Sequence, residues 1–315
     1  MPKYFFTATE SAHAQMSGVF DFVWPTAAAM WNLRWQVSGY LHVVPGATVE
    51  QLQARFTEGS DIAGANFRRA CFEHTWDQQK ESFAGVLLVN SIASFEGWLD
   101  QVLEELGKNT KTLKKALQFP NSTAIKEKGA AWAIEEITHV ESVELKSAFY
   151  QPLCRGRHYS LAKLDAMLLC YRFFKELRNC SMHGGGTADQ HLMDAYRDFA
   201  AVSTTALLGV SEVPEHSAPA IKTQTRLSLR GVVGFTNILL KIIATMDAEL
   251  SRSKHSEKHF VRKWKTANPH MRMLSSDKWK RARQIKGLAK NAGFPEPSDA
   301  NSLGDWLSTL GLTNF

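Results

Sequence analysis

The sequence predicts an all-α protein: a helical bundle with an N-terminal helical extension and a basic C-terminal helical segment. Three observations lead there. Apolar residues recur at helical spacing in three long stretches, which close near Leu106, Leu177 and Leu250. Turn-forming residues punctuate them, at Gly107-Lys108-Asn109, Gly184-Gly185-Gly186 and Val213–Pro219. Only Leu41–Val44 hints at strand alternation. The expected division is residues 1–75 for the extension, 76–250 for the bundle and 251–315 for the basic segment.

The extension is dense in aromatic residues, with Phe20, Phe22, Trp24, Trp31 and Trp35 suited to a core or a subunit interface. Pro25 is placed to open a helix over Thr26–Tyr40, and Pro45-Gly46 to turn the chain. Thr48 and Gln51 have the spacing of a capping box for a helix over Val49–Phe56. Phe67–Leu106 reads as two helices or one long bent one, with Leu87, Ile92, Phe95, Leu99, Val102, Leu103 and Leu106 on its apolar side; Gly107 supplies the C-terminal cap. A short basic helix over Lys108–Phe119 ends before Pro120. Ala130–Val143 reads as another helix, and Glu141–Arg157, lacking a clean period, as a loop leading to a cap at Ser160. Asp189–Leu208 is expected to be a helix with Leu192, Tyr196, Phe199 and Ala200 on one face. Val213–Pro219 is a linker before the apolar helix Leu229–Leu250. Around Leu303, Trp306 and Leu307 a short amphipathic helix should dock on the body.

At 315 residues the chain suits one large domain or two ordinary ones, and 44% hydrophobic with 22% charged residues describes a globular protein. The N-terminus has no secretory pattern. The most apolar run, Gly231–Met246, is broken by Asn237 and Lys241 and is shorter than the roughly 20 residues of a membrane span, so a core helix, no membrane and a cytoplasmic location are expected. The four cysteines show no Cys-x-x-Cys pair, no metal-ligand spacing recurs, and neither a metal nor another cofactor is expected. Gly184-Gly185-Gly186 lacks the Gly-Lys-Ser/Thr of a phosphate loop.

The run Leu161–Leu177 is apolar nearly all round and should be buried. It passes into Arg178-Asn179-Cys180-Ser181-Met182-His183 before the glycines. A guanidinium, an amide and an imidazole at the end of a buried helix need partners or a task. Arg178, Asn179 and His183 match the RNxxxH motif, and this stretch resembles the signature of the HEPN superfamily, whose motif lies late in a long helix. The resemblance covers about residues 80–200. It implies a HEPN-type helical bundle and a dimeric, metal-independent endoribonuclease; other members of the family only bind nucleotides or partner proteins. The run Ser91–Leu99 resembles the first core helix of such domains, so Glu96 is expected either to face the motif and orient Arg178 or His183, or to face solvent.

The residue types suit RNA cleavage. A histidine can take the 2′-OH proton or protonate the leaving 5′-oxygen. An arginine holds the charge that grows on phosphate, and Asn179 would position substrate or ring. Cys180 would act as a nucleophile only with a lowered pKa and a paired base. On a regular helix, five residues place Arg178 and His183 about 140° apart. Either the helix loosens toward Gly184, or a two-fold dimer brings two copies into one cleft. The resemblance implies the dimer and a product with a 2′,3′-cyclic phosphate. It also implies a role as a toxin or anti-phage defence effector, with an antitoxin or regulatory protein as a possible partner. The alternative is a non-catalytic helical module that binds nucleic acid or a partner protein.

The net charge of +6 is unevenly spread. Residues 251–290 hold thirteen Lys or Arg against two acids, a local +11 that leaves −5 for the rest. Such a block suits a polyanion. Within it Lys263-Trp264-Lys265 recurs as Lys278-Trp279-Lys280. These residues, with Arg262, Arg281 and Arg283, form a candidate RNA surface in which the tryptophans either stack on bases or fill the segment's own core.

Overall fold

The computed structural model describes residues 3–121, 128–183 and 185–315, and these are mainly helical. The first helix, α1 (Thr7–Val43), runs through Pro25 rather than starting there. Proline removes one backbone hydrogen bond, but Met16 and Val23 before it and Val37 and Leu41 after it are buried, so packing holds both flanks. The helix also absorbs Leu41–Val43, which therefore form no strand. Thr48 then forms the expected capping box for α2 (Val49–Thr57). A π-helical turn, Arg69–Glu73, precedes α3 (Trp76–Glu105), so Phe67–Leu106 is two helical pieces; a second capping box, Thr75 with Gln78, starts the longer one. Gly107 closes it with positive φ, Lys108 N–H donating to Leu103 C=O and Gly107 N–H to Glu104 C=O.

Next come α4 (Lys111–Ala116) and α5 (Ala130–Thr138). The expected loop at 141–157 is instead largely helical: α6 (Val143–Leu145), a π-helical turn over Lys146–Tyr150 and α7 (Gln151–Cys154). Its irregular period follows from the π turn, and burial of Leu145, Ala148, Phe149 and Leu153 supplies the stability. Ser160 makes no side-chain cap; a 3-10 turn, Leu161–Lys163, leads into α8 (Leu164–His183). The stretch after the glycines splits into α9 (Gln190–Ala200) and α10 (Thr205–Leu208), with Leu192 and Phe199 buried but Ala200 exposed.

The centre of the molecule is α11 (Leu229–Ser251), which packs against α1, α3, α5 and α8. Its bounds match the expected helix Leu229–Leu250 to within one residue and exceed the apolar run Gly231–Met246, and α11 and α3 are both long and apolar enough to cross a membrane by length and composition. In this fold most of α11 is buried by protein. The linker at 213–219 crosses it closely: a Cβ on Gly231 would collide with the Glu215 carbonyl.

The C-terminal segment comprises α12 (Ser256–Ala267), α13 (Lys278–Asn291) and α14 (Ala300–Thr309). Two short strands, β1 (Arg272–Met273) and β2 (Thr313–Asn314), pair in parallel and tie its end to the α12–α13 connection. Leu303 and Leu307 are buried, as the amphipathic pattern of α14 requires. One hydrophobic core joins all three spans: Phe5 meets Phe149 of the bundle and Phe294 of the basic segment, both of which meet Phe260, while Phe6 packs on Phe5 and on His259. Asp247 of α11 fixes this junction by accepting the N–H groups of Phe5 at 2.8 Å and Phe6 at 3.1 Å. A smaller core around Val37, Leu41, Leu52, Phe67 and Cys71 holds the far end of α1 to α2.

Candidate functional site

The buried face of α8 carries Leu164, Met167, Leu168, Phe174 and Leu177, which lock the helix against its neighbours. Its remaining surface holds two polar rows. Tyr171, Lys175 and Arg178 form one, at i, i+4 and i+7; Arg172, Glu176, Asn179 and His183 form the other, at i, i+4, i+7 and i+11.

The first row faces α3. Glu96 Oε1 accepts from Lys175 Nζ at 2.6 Å and from the Tyr171 hydroxyl at 3.3 Å, and lies 3.8 Å from the Arg178 guanidinium. Gln118 Oε1 completes the cluster, accepting from Tyr171 at 2.9 Å and from Lys175 at 2.7 Å. Glu96 therefore faces the motif helix, but its shortest contact is with Lys175. Burial lowers the Lys175 pKa and raises that of Tyr171, and the Glu96 charge raises the tyrosine further. One carboxylate serves two cations, so the cluster retains a positive charge near Arg178.

In the second row, Glu176 accepts from Arg172 at 2.6 Å and from the Asn179 amide at 3.0 Å. His183 ends the row on an exposed turn. Cys180, between the rows, is buried, and its thiol lies 3.8 Å from Asp189. Burial raises its pKa, which is the wrong direction for a nucleophilic thiolate.

The helix stays regular through His183. It does not loosen to bring His183 round to Arg178, and the two side chains leave α8 about 140° apart. Glu96 joins the Arg178 row alone. Beyond the helix, Gly184 lies outside the described residues. Gly186 has φ +82° and passes its N–H back to the Cys180 carbonyl, while Gln224 packs where a Cβ would stand. A groove of about 730 Å³ between the end of α8 and the first half of α3 is lined by Ser181 and Met182, and neither Arg178 nor His183 reaches it.

The basic segment divides its candidate residues. Arg262, Lys265, Lys278, Trp279, Lys280 and Arg283 are exposed, Trp279 at 87%. Trp264 is fully buried against Phe260, and Arg281 is buried with its guanidinium 3.9 Å from the Phe315 ring. Neither can reach a nucleic acid here, because each fills the junction between α12, α13 and the chain's end. Lys263 is also committed, donating to the Gly293 carbonyl at 3.0 Å. The repeat Lys-Trp-Lys thus has one buried and one exposed tryptophan.

Sequence reasoning missed Lys175, Tyr171 and Gln118. The two α8 residues lie three and seven positions before Arg178, so helical spacing alone places them on its row; Gln118 comes from a distant segment with no such signal. Among the described residues no group of three or more His, Cys, Asp or Glu converges as a metal site. No family model matches the sequence, and neither curated proteins nor solved structures give a match.

Proposed function

We propose that the protein is a metal-independent endoribonuclease of HEPN type that acts as a dimer. The observation that carries this reading is the regular course of α8, which leaves Arg178 and His183 on separate half-exposed rows. A second copy of α8, related by a two-fold axis, would set one chain's His183 against the other's Arg178. His183 takes the 2′-OH proton or protonates the leaving oxygen. As the 2′-oxygen bonds to phosphorus, the bond to the 5′-oxygen breaks, giving a 2′,3′-cyclic phosphate and a 5′-hydroxyl. Arg178 holds the phosphate charge, and Asn179, positioned by Glu176, supports the substrate. The exposed cations of α12 and α13, with Trp279, grip the flanking RNA. A toxin or anti-phage role in the cytoplasm, restrained by an antitoxin or regulatory protein, rests on the HEPN resemblance.

The test is RNA cleavage by wild type and His183→Ala in excess EDTA. Cleavage by wild type alone, leaving cyclic phosphate ends, is expected; equal cleavage by both variants sinks the assignment. A second reading, a non-catalytic helical module binding nucleic acid or a partner, draws on the ion pair of Arg178 with Glu96 and the hydrogen bond of Asn179 to Glu176, which already engage both side chains within the chain. RNA binding without turnover in either protein would favour it.

A further inference from the structure

Away from α8, the first helix presents His13, Ser17, Phe20 and Trp24 at i, i+4, i+7 and i+11, one face extending ~16 Å. All four line a cavity of about 1350 Å³ between α1, the start of α3, α11 and the segment 211–230. An adjoining chamber of about 390 Å³ shares His13, Arg157 and His158 with it and adds Lys3 and Arg155. No acid lines this chamber among the described residues; Glu10, one turn before His13, instead accepts the Lys3 N–H at 3.5 Å.

The protonation state follows from geometry. His158 Nε2 accepts from Arg157 Nε at 2.9 Å, so the proton of the neutral ring sits on Nδ1. That Nδ1 is buried and has no acceptor. Burial, helped by Arg157, lowers the His158 pKa to about 4, and burial with Lys3 lowers that of His13. At neutral pH the chamber is therefore lined by a neutral imidazole beside the Arg157 guanidinium, with further positive charge on Arg155 and Lys3 and, among the described residues, no acid. A guanidinium fork matches phosphate oxygens. The large cavity beyond carries mixed charge: Asp77, Glu81, Glu212 and Glu215 line it together with Lys80, Arg226 and Arg230, Asp77 pairing with Lys80 and Glu212 with Arg230, so it lacks the chamber's excess of cations. Between the two ends stand Phe20 and the half-exposed Trp24.

We infer that this cavity binds a small phosphomonoester with an aromatic body, the phosphate at Arg157 and His158 and the ring against Phe20 and Trp24. Its long axis runs along α1, with the single anion at the cationic end. Polar edges of the ring face the carboxylates at the far end, which accept from amino groups. The inference is independent of the reading of α8.

Isothermal titration of the full chain with adenosine 5′-monophosphate tests it, with guanosine and uridine monophosphates, adenosine and inorganic phosphate as comparison probes. A saturable site for at least one mononucleotide is expected, weakened at least tenfold in Arg157→Ala. Trp24→Ala should weaken the mononucleotide and leave inorganic phosphate unchanged. Both side chains are exposed, so these variants should fold. Absence of saturable binding by all three monophosphates would overturn the inference, as would undiminished binding by Arg157→Ala. Phosphate binding as tightly as the mononucleotides would remove the aromatic half of the assignment and with it the ligand class.

Discussion

Glu96 lies 2.6 Å from Lys175 and 3.8 Å from Arg178, so the carboxylate reached from α3 is held first by a lysine that the motif does not contain. Both partners of the short pair are mostly buried, and removing one strands the other. Glu96→Ala is expected to lower stability by about 1–3 kcal/mol in chemical denaturation. Lys175→Met combined with Glu96→Gln should cost less than the two changes summed. Strict additivity would show that the pair is not coupled.

If each site takes Arg178 from one chain and His183 from the other, two inactive variants should complement. Mixing unfolded Arg178→Ala and His183→Ala chains at equal amounts and refolding them together should restore about a quarter of wild-type cleavage, since half the dimers are mixed and each holds one intact site. No recovery, with dimers present by analytical ultracentrifugation, would place a complete site within one chain.

The two tryptophans of the repeated Lys-Trp-Lys should separate cleanly. Trp264→Ala empties a buried position and should cost about 3–5 kcal/mol. Trp279→Ala alters an exposed side chain and should change stability by less than about 0.5 kcal/mol. RNA affinity should fall for Trp279→Ala at unchanged salt dependence, whereas Lys278→Ala with Lys280→Ala should flatten the salt slope. Unaltered RNA affinity in both the Trp279 variant and the Lys278/Lys280 double variant would remove α13 from the interface.

The junction beneath the N-terminus makes stability depend on pH in two opposing ways. Burial lowers the His259 pKa from 6.5 to about 3, with Lys263 and Arg262 adding to the effect. Between those values the unfolded chain binds more protons, so this contribution is complete above pH 6.5 and is lost as pH falls toward 3. Burial raises the Asp247 carboxyl from 3.8 to about 7, against the Phe5 and Phe6 N–H groups. There the folded chain binds more protons, so this contribution is complete below pH 3.8 and is lost as pH rises toward 7. Each group gives a slope of at most about 1.4 kcal/mol per pH unit. His259→Phe should remove the loss on acidification, measured by urea denaturation from pH 4 to 7, while Asp247→Asn should remove the decline toward neutrality. Identical pH profiles for His259→Phe and wild type would mean that the imidazole titrates normally in the fold.

Much of the local structure was legible because it rests on residues close in the chain. The capping box at Thr48, the glycine closure of α3 and the amphipathic α14 each follow from contacts within a few positions, where side-chain chemistry dictates backbone conformation. Pro25 and the stretch 141–157 were misread for the complementary reason. There, burial of Met16, Val23 and Val37 on one helix, and of Phe149 on the other, outweighs the local signals of a break. The same distinction applies at the motif. Arg178, Asn179 and His183 could be found as neighbours in sequence, whereas Lys175 was missed although its helical spacing puts it on the Arg178 row.

The sequence by itself determined the helical class, the position of the polar turn that ends α8 and the concentration of positive charge after Ser251, because these are properties of periodicity and composition. Only the tertiary structure decided that Glu96 meets Lys175, that Trp264 is core while Trp279 is surface, and that His13 of α1 shares a cationic chamber with Arg157 and His158. Those outcomes depend on which helices cross and which faces they bury. Packing settles that across many residues at once, and no short stretch of chain contains it.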